Sequence, residues 1–318
     1  MFGSPARWPK RVLASIALAL SGCATVPAPD YGRGLPASQA ERVELSAVPF
    51  FPQEDYQCGP AALATVLQSA GIARTPAELT SQVYLPQRQG SLQVELLGAS
   101  RRSGAVPYVL RGQPGDLLRE VAAGHPVVVL QDVGGPLRTQ WHYAVVVGFD
   151  LAGKTLLLRS GTFQRLVMSV DEFDRSWAKA ERWAFVALPP DRLPATASET
   201  DYVAAAADFE RVSAALGPDA YRTALRAWPK NLFARLALGN AAYRARQLEQ
   251  AQTQYRQATL DHPDSGDAWN NLAQVLFEQS RPDEAADAAR RAVAIGGPRL
   301  ATYAATLRAV ATPGPALK

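Results

Sequence analysis

The 318-residue chain holds two cysteines and three histidines, so any thiol–imidazole chemistry must be built from Cys23, Cys58, His125, His142 and His262. Cys58 sits in the stretch from Gln53 to Leu63, just ahead of Ala62, Leu63, Val66 and Leu67, whose helical spacing persists until Gly71. Pro60 suits the first turn of that helix, where a backbone amide has no partner to lose. A thiol there feels the positive end of the helix, which favours the nucleophilic thiolate. Gln53, upstream of the thiol, carries an amide able to point at the same place, as a tetrahedral oxyanion requires. Among the histidines, His142 is the candidate base, because it opens the run Trp141 to Asp150, whose apolar residues suit the core of a sheet. His125 lies in a Gly-His-Pro turn, where a structural role is expected, and His262 lies in a loop with no link to the thiol.

The elements that must position these residues follow from periodicity. Val43 to Phe51 is extended in character. Thr75-Pro76-Ala77-Glu78 has the form of a capping box, Ser91 opens a helix to about Arg102, and a third helix runs from Gly115 to Ala123. The period then changes to that of strands at Pro126–Leu130, Trp141–Phe149, Lys154–Arg159, Gln164–Met168 and Arg182–Leu188. A helical half carrying the nucleophile, followed by a mostly antiparallel sheet, is an α+β pattern.

Gln53, the Cys58-Gly59-Pro60 turn, the apolar helix behind it and His142 before a β-branched run resemble the bacteriocin-processing, or double-glycine, cysteine peptidases. The resemblance covers roughly residues 44 to 188 and implies a papain-like fold, with Cys58 as nucleophile, His142 as base and Gln53 on the oxyanion. It also implies an aspartate on the next strand to hold the imidazole. That stretch reads Leu158-Arg159-Ser160-Gly161-Thr162, so Ser160 falls nearest the expected place of the orienter. Cleavage after Gly-Gly is implied by the resemblance alone. The departure at Ser160 keeps a degenerate, peptide-binding domain open as the alternative, and peptidyl transfer to an amine as another.

Arg7, Lys10 and Arg11 precede the apolar run Val12 to Leu20, which ends in Leu20-Ser21-Gly22-Cys23. Residues 1–22 have the form of a signal peptide too short for a mature membrane span. Cys23 resembles the lipidated cysteine of bacterial lipoproteins, and Ala24 resembles the sorting residue of those sent to the outer membrane, facing the periplasm. Loss of Arg7, Lys10 and Arg11 takes the basic count from 33 to 30 against 29 acidic residues. The sequence pI of about 9.1 therefore comes mostly from the leader, and nothing argues for nucleic acid. With Cys23 lipidated, Cys58 has no disulfide partner in an oxidising compartment, which favours use of the thiol.

Residues 23–42, rich in Pro, Gly and Ala, are expected to tether the membrane anchor to a peptidase domain over 43–188. Residues 189–200 are expected to link it to an all-α domain over 201–312. There, Tyr221, Ala224 and Pro229 recur as Tyr255, Ala258 and Pro263, and Leu238 and Ala251 recur as Leu272 and Ala285. Such recurrence resembles tetratricopeptide repeats, with units near 232–265 and 266–299, a degenerate one at 198–231 and a capping helix from Arg299 to Val310. A solenoid of this kind is expected to bind a protein or peptide. Neither a cofactor nor a metal is expected.

Overall fold

The computed structural model describes residues 31–32, 41–52, 57–135 and 138–311. Residues 1–22, expected to be a signal peptide, Cys23 and Gln53 lie outside the described residues.

One antiparallel sheet organises the first half of the molecule. Its strands are β1 (Arg42–Glu44), β2 (Val106–Val109), β3 (Val127–Asp132), β4 (Trp141–Asp150), β5 (Thr155–Ser160), β6 (Phe163–Ser169) and β7 (Ala184–Leu188), in the order β2-β7-β3-β4-β5-β6, with β1 added on β4. Buried on both faces, β3 and β4 read as near-continuous apolar runs rather than alternating ones. On one face lie α1 (Cys58–Ser69), α2 (Pro76–Val83) and α3 (Gln93–Arg102), packed through Leu63, Val66, Leu67, Leu79 and Leu96 against Val128, Val145 and Val147. The other face is covered by α4 (Pro114–Ala122) and α5 (Val170–Ala178), through Leu117, Val121, Phe173 and Trp177 against Val127, Val129, Ala144 and Val146.

The capping box at Thr75 forms as expected: the Thr75 hydroxyl accepts the Glu78 amide while Glu78 accepts the Thr75 amide at 2.7 Å. Ser91 does not cap α3, which starts at Gln93 without a side-chain cap; its hydroxyl is instead buried without a partner beside α1. Two elements went unread in the sequence. β2 contains Pro107, which an edge strand tolerates because one row of its amides faces no neighbour. α5 is capped by Ser169, whose hydroxyl accepts the Glu172 amide.

Tyr31 is buried against Phe173, and its hydroxyl donates to Asp174 at 3.1 Å, while Arg42 already pairs with Asp150 across β1 and β4. The stretch 189–200 is likewise fastened to the sheet domain. The fully buried Glu120 carboxylate accepts the amides of Ala195 and Thr196 and the Thr196 hydroxyl at 2.6 Å, and meets His125 Nδ1 at 2.7 Å. His125 thus has the structural partner expected of it.

Beyond Leu188 the chain is helical: α6 (Glu199–Val212), α7 (Gly217–Ala227), α8 (Leu232–Arg244), α9 (Leu248–Asp261), α10 (Gly266–Glu278), α11 (Pro282–Ile295) and α12 (Leu300–Ala311). Tyr202, Phe209 and Tyr221 extend the core of the sheet domain into α6 and α7, whereas Leu272, Leu276 and Ala289 centre a second core on α8 to α12. His262 contacts the Lys230 carbonyl between helices, far from the thiol in sequence and role.

Candidate active site

Cys58 is the first residue of α1 and is half-buried at the edge of its core. Gly59 lets the helix terminus come this close to the segment before α3: a Cβ there would stand 2.4 Å from Ser91 Oγ and 2.6 Å from Ser91 Cβ. The helix is buried from Gly59 to Leu67, so its packing fixes the position of the thiol without a side-chain cap. Backbone amides of Tyr143, Gly59 and Cys58 itself act on the sulfur and pull its pKa down, but burial outweighs them and pushes the thiol up. The helix terminus alone therefore does not make Cys58 a resting thiolate. Desolvation, absent from the sequence argument, decides the sign.

The Tyr143 amide on the sulfur brings Cys58 to the peptide unit that follows His142. His142 lies near the start of β4, and Gln131 opposes it on β3. Its Nε2 meets Ser160 Oγ at 2.9 Å. The pairing of Val145 with Arg159 places Ser160 across from Ala144, a diagonal neighbour of His142 on the same sheet face, which is why two strand residues can meet here. A bond at Nε2 holds the ring in one orientation. Burial lowers the His142 pKa, so the imidazole is neutral over most of the pH range in which a base is needed.

Cys58 and His142 line one cleft of about 690 Å³, whose walls also carry Arg88, Ser91, Arg138, Trp141 and Gly161. It continues past Arg88, Ser91, Leu92, Trp141 and Tyr143 into a second lobe of about 670 Å³, floored by Leu110, Leu130 and Trp183. Tyr143 spans the cleft: its hydroxyl donates to the Ser91 carbonyl at 3.2 Å, and its ring packs edge-on against Trp183.

Two positioning residues have no signature in the sequence. Asp132, at the end of β3, is buried, and its Oδ1 accepts the amides of Gly134 at 2.9 Å and Gln140 at 2.8 Å while Oδ2 pairs with Lys179 at 3.0 Å. These bonds lower the carboxyl's pKa from its ordinary value, led by the Gln140 amide. They close the base of the loop that carries Arg138, Thr139 and Gln140 into the cleft and delivers His142. Gly134 is needed in that loop, since a Cβ would stand 2.7 Å from the Gln140 amide nitrogen. Arg159 is the second. Nearly buried, its guanidinium donates to the carbonyls of Val48 at 3.2 Å and Gln164, tying the chain upstream of Gln53 to the strand that carries Ser160.

No curated protein matches the chain. Residues 45–184 match the model of the Peptidase_C39-like family, and residues 236–299 that of a tetratricopeptide repeat. Among solved structures, one is a protein from Bacillus anthracis described as a C39-like peptidase, at 18% identity and a TM-score of 0.39, covering 47% of this chain and 98% of its own. Another is the peptidase domain of Streptococcus ComA, a bi-functional ABC transporter of a quorum-sensing pathway, at 22% identity and a TM-score of 0.37, covering 45% of this chain and 98% of its own. The chain thus joins a Peptidase_C39-like domain, built as an antiparallel sheet with helices, to a helical tetratricopeptide-repeat region.

Proposed function

We propose that the chain is a cysteine peptidase that cleaves a peptide or protein through a dyad of Cys58 and His142. The observation that carries this reading is that a helix-terminal thiol and a buried imidazole line one cleft, with one ring nitrogen already held by Ser160. His142 takes the Cys58 proton as the sulfur bonds to the scissile carbonyl carbon. Gln53 and the Cys58 amide hold the resulting oxyanion, and Ser160 orients the ring. Collapse expels the amine, which takes the proton from His142 and leaves a thioester. Water, deprotonated by the same imidazole, then releases the acid and restores the thiol. The test is a pool of defined peptides incubated with the wild type and with Cys58→Ala. Cleavage that disappears in the variant is the expected result, and identical fragments from both proteins would sink the proposal.

A second reading rests on Ser160. A hydroxyl where the resembled family carries a carboxylate orients an imidazole with less charge stabilisation, which favours a degenerate domain that binds peptides without cutting them. Tight peptide binding with no cleavage in the same pool would select it. Peptidyl transfer would appear instead as fragments extended by an added amine.

The repeats suit a protein or peptide partner. Location follows from the leader: Cys23 carries the lipid, and the enzyme faces the periplasm from the outer membrane. Among the described residues no helix is long and apolar enough to cross a membrane. Cys23→Ala should shift the protein from the membrane fraction to the soluble periplasm, or leave its leader uncleaved. Normal processing with unchanged membrane association would remove the lipid anchor from this account.

A further inference from the structure

Among its described lining residues, the cleft that holds Cys58 has a one-sided charge. Arg88, from the 3-10 turn Pro86–Arg88, and Arg138, from the loop between β3 and β4, enter it from two different loops, and no carboxylate is among its described lining residues. Both arginines are exposed, and neither has a carboxylate partner among the described residues. The second lobe continues the pattern, since Arg88, Arg111, Lys179 and Arg182 line it against Glu181 alone. Three of those cations are paired from behind: Arg111 with Asp116 at 3.4 Å, Lys179 with Asp132 at 3.0 Å and Arg182 with Asp174 at 3.0 Å. Among the described residues, Arg88 and Arg138 are therefore the cleft's cations without a carboxylate partner; Arg138 lines the lobe that holds the thiol, and Arg88 lines both.

Overall charge does not explain the arrangement. Without its leader the chain is nearly neutral, so the excess is local to the cleft. A cleft lined by one sign of charge focuses its field on whatever enters and raises the local concentration of the opposite sign. A peptide with basic side chains beside the scissile bond would face repulsion from both loops.

We infer that the substrate of this cleft is a peptide carrying acidic side chains next to the bond at Cys58, recognised by Arg88 and Arg138. The inference rests on Cys58 being the nucleophile of the proposed peptidase. Apolar side chains suit the second lobe, where Leu110, Leu130 and Trp183 form the floor.

The test uses peptide vinyl sulfones of one backbone sequence whose side chains near the electrophile are Asp, Asn or Lys, with the site of labelling read by mass mapping of the full chain. The Asp compound should label Cys58 about ten times faster than the Lys compound at low ionic strength, with Asn between. That spread should collapse in 0.5 M salt, where charges are screened within about 4 Å, and in the double variant Arg88→Gln, Arg138→Gln. Should the variant fail to fold, the wild-type salt dependence decides, together with labelling by iodoacetate relative to iodoacetamide, a ratio the arginines should raise above that of free cysteine. Efficient labelling with no charge preference, or with a preference for Lys, overturns this inference and leaves the peptidase intact. Labelling by iodoacetamide but by no peptide electrophile overturns the peptidase reading, and the inference with it.

Discussion

Replacing His142 with alanine should lower turnover by at least about 10²-fold and move alkylation of Cys58 to higher pH. Two opposing effects set the wild-type profile. Burial disfavours each charge taken singly, pushing the thiol up and the imidazole down. In the proposed dyad, moving the proton from sulfur to ring creates both charges together, and their mutual attraction opposes the cost of burying each. That attraction should let alkylation persist below the value near 8.5 of a free thiol. The variant removes that attraction and keeps the burial. Its alkylation midpoint should therefore lie not at the free-thiol value but above it, because the amides of Tyr143, Gly59 and Cys58 do not outweigh desolvation. Iodoacetamide labelling followed against pH measures both midpoints. Superimposed profiles, with no cleavage by the wild type, would end the catalytic reading. Ser160→Ala should produce a milder loss of turnover, since it frees the ring without removing the base, and Ser160→Asp should raise the rate by giving the imidazolium a charged partner.

The parts of this site that were legible in the sequence are those set by local chemistry. Cys58 announced itself because a helix terminus, a following Gly-Pro and an apolar run occupy consecutive residues. His142 did so because a strand's composition is local too. Ser160 could be placed only through a family resemblance, for its partner comes from the neighbouring strand and the contact depends on register. Asp132 was invisible for a stronger reason. Its bonds go to backbone amides of a loop and to Lys179 on a distant segment, and an amide donor has no residue-type signature. The same holds for Glu120, whose buried carboxylate gathers the amides of Ala195 and Thr196 and so turns a Pro- and Ala-rich stretch that reads as a linker into a docked segment. Tyr31 carries the lesson to the N-terminus: composition suggests a free tether, but one aromatic ring with a buried carboxylate partner is enough to fasten it. The pKa of Cys58 was the one local inference to change sign, because a helix dipole can be read from sequence while the depth of burial cannot.

Replacing Gln53 with alanine should separate binding of the transition state from activation of the thiol. The oxyanion exists only after the sulfur has bonded to the carbonyl carbon, so a donor aimed at it contributes nothing to the free enzyme. Alkylation by iodoacetamide forms no oxyanion, and its pH profile should match that of the wild type. Peptide turnover should fall by about 10²- to 10³-fold, as is usual when one oxyanion donor is removed. The loss should appear in kcat, with KM little changed, because the substrate's ground-state carbonyl makes weaker demands on the same amide. The segment leading to Gln53 is tied to β5 by the hydrogen bond from Arg159 to the Val48 carbonyl, so Arg159→Met should reproduce part of this loss without touching thiol or imidazole. An alkylation rate that falls as far as turnover in Gln53→Ala would place Gln53 in thiol activation instead. Unchanged turnover would leave the amide of Cys58, or another donor, to hold the oxyanion alone.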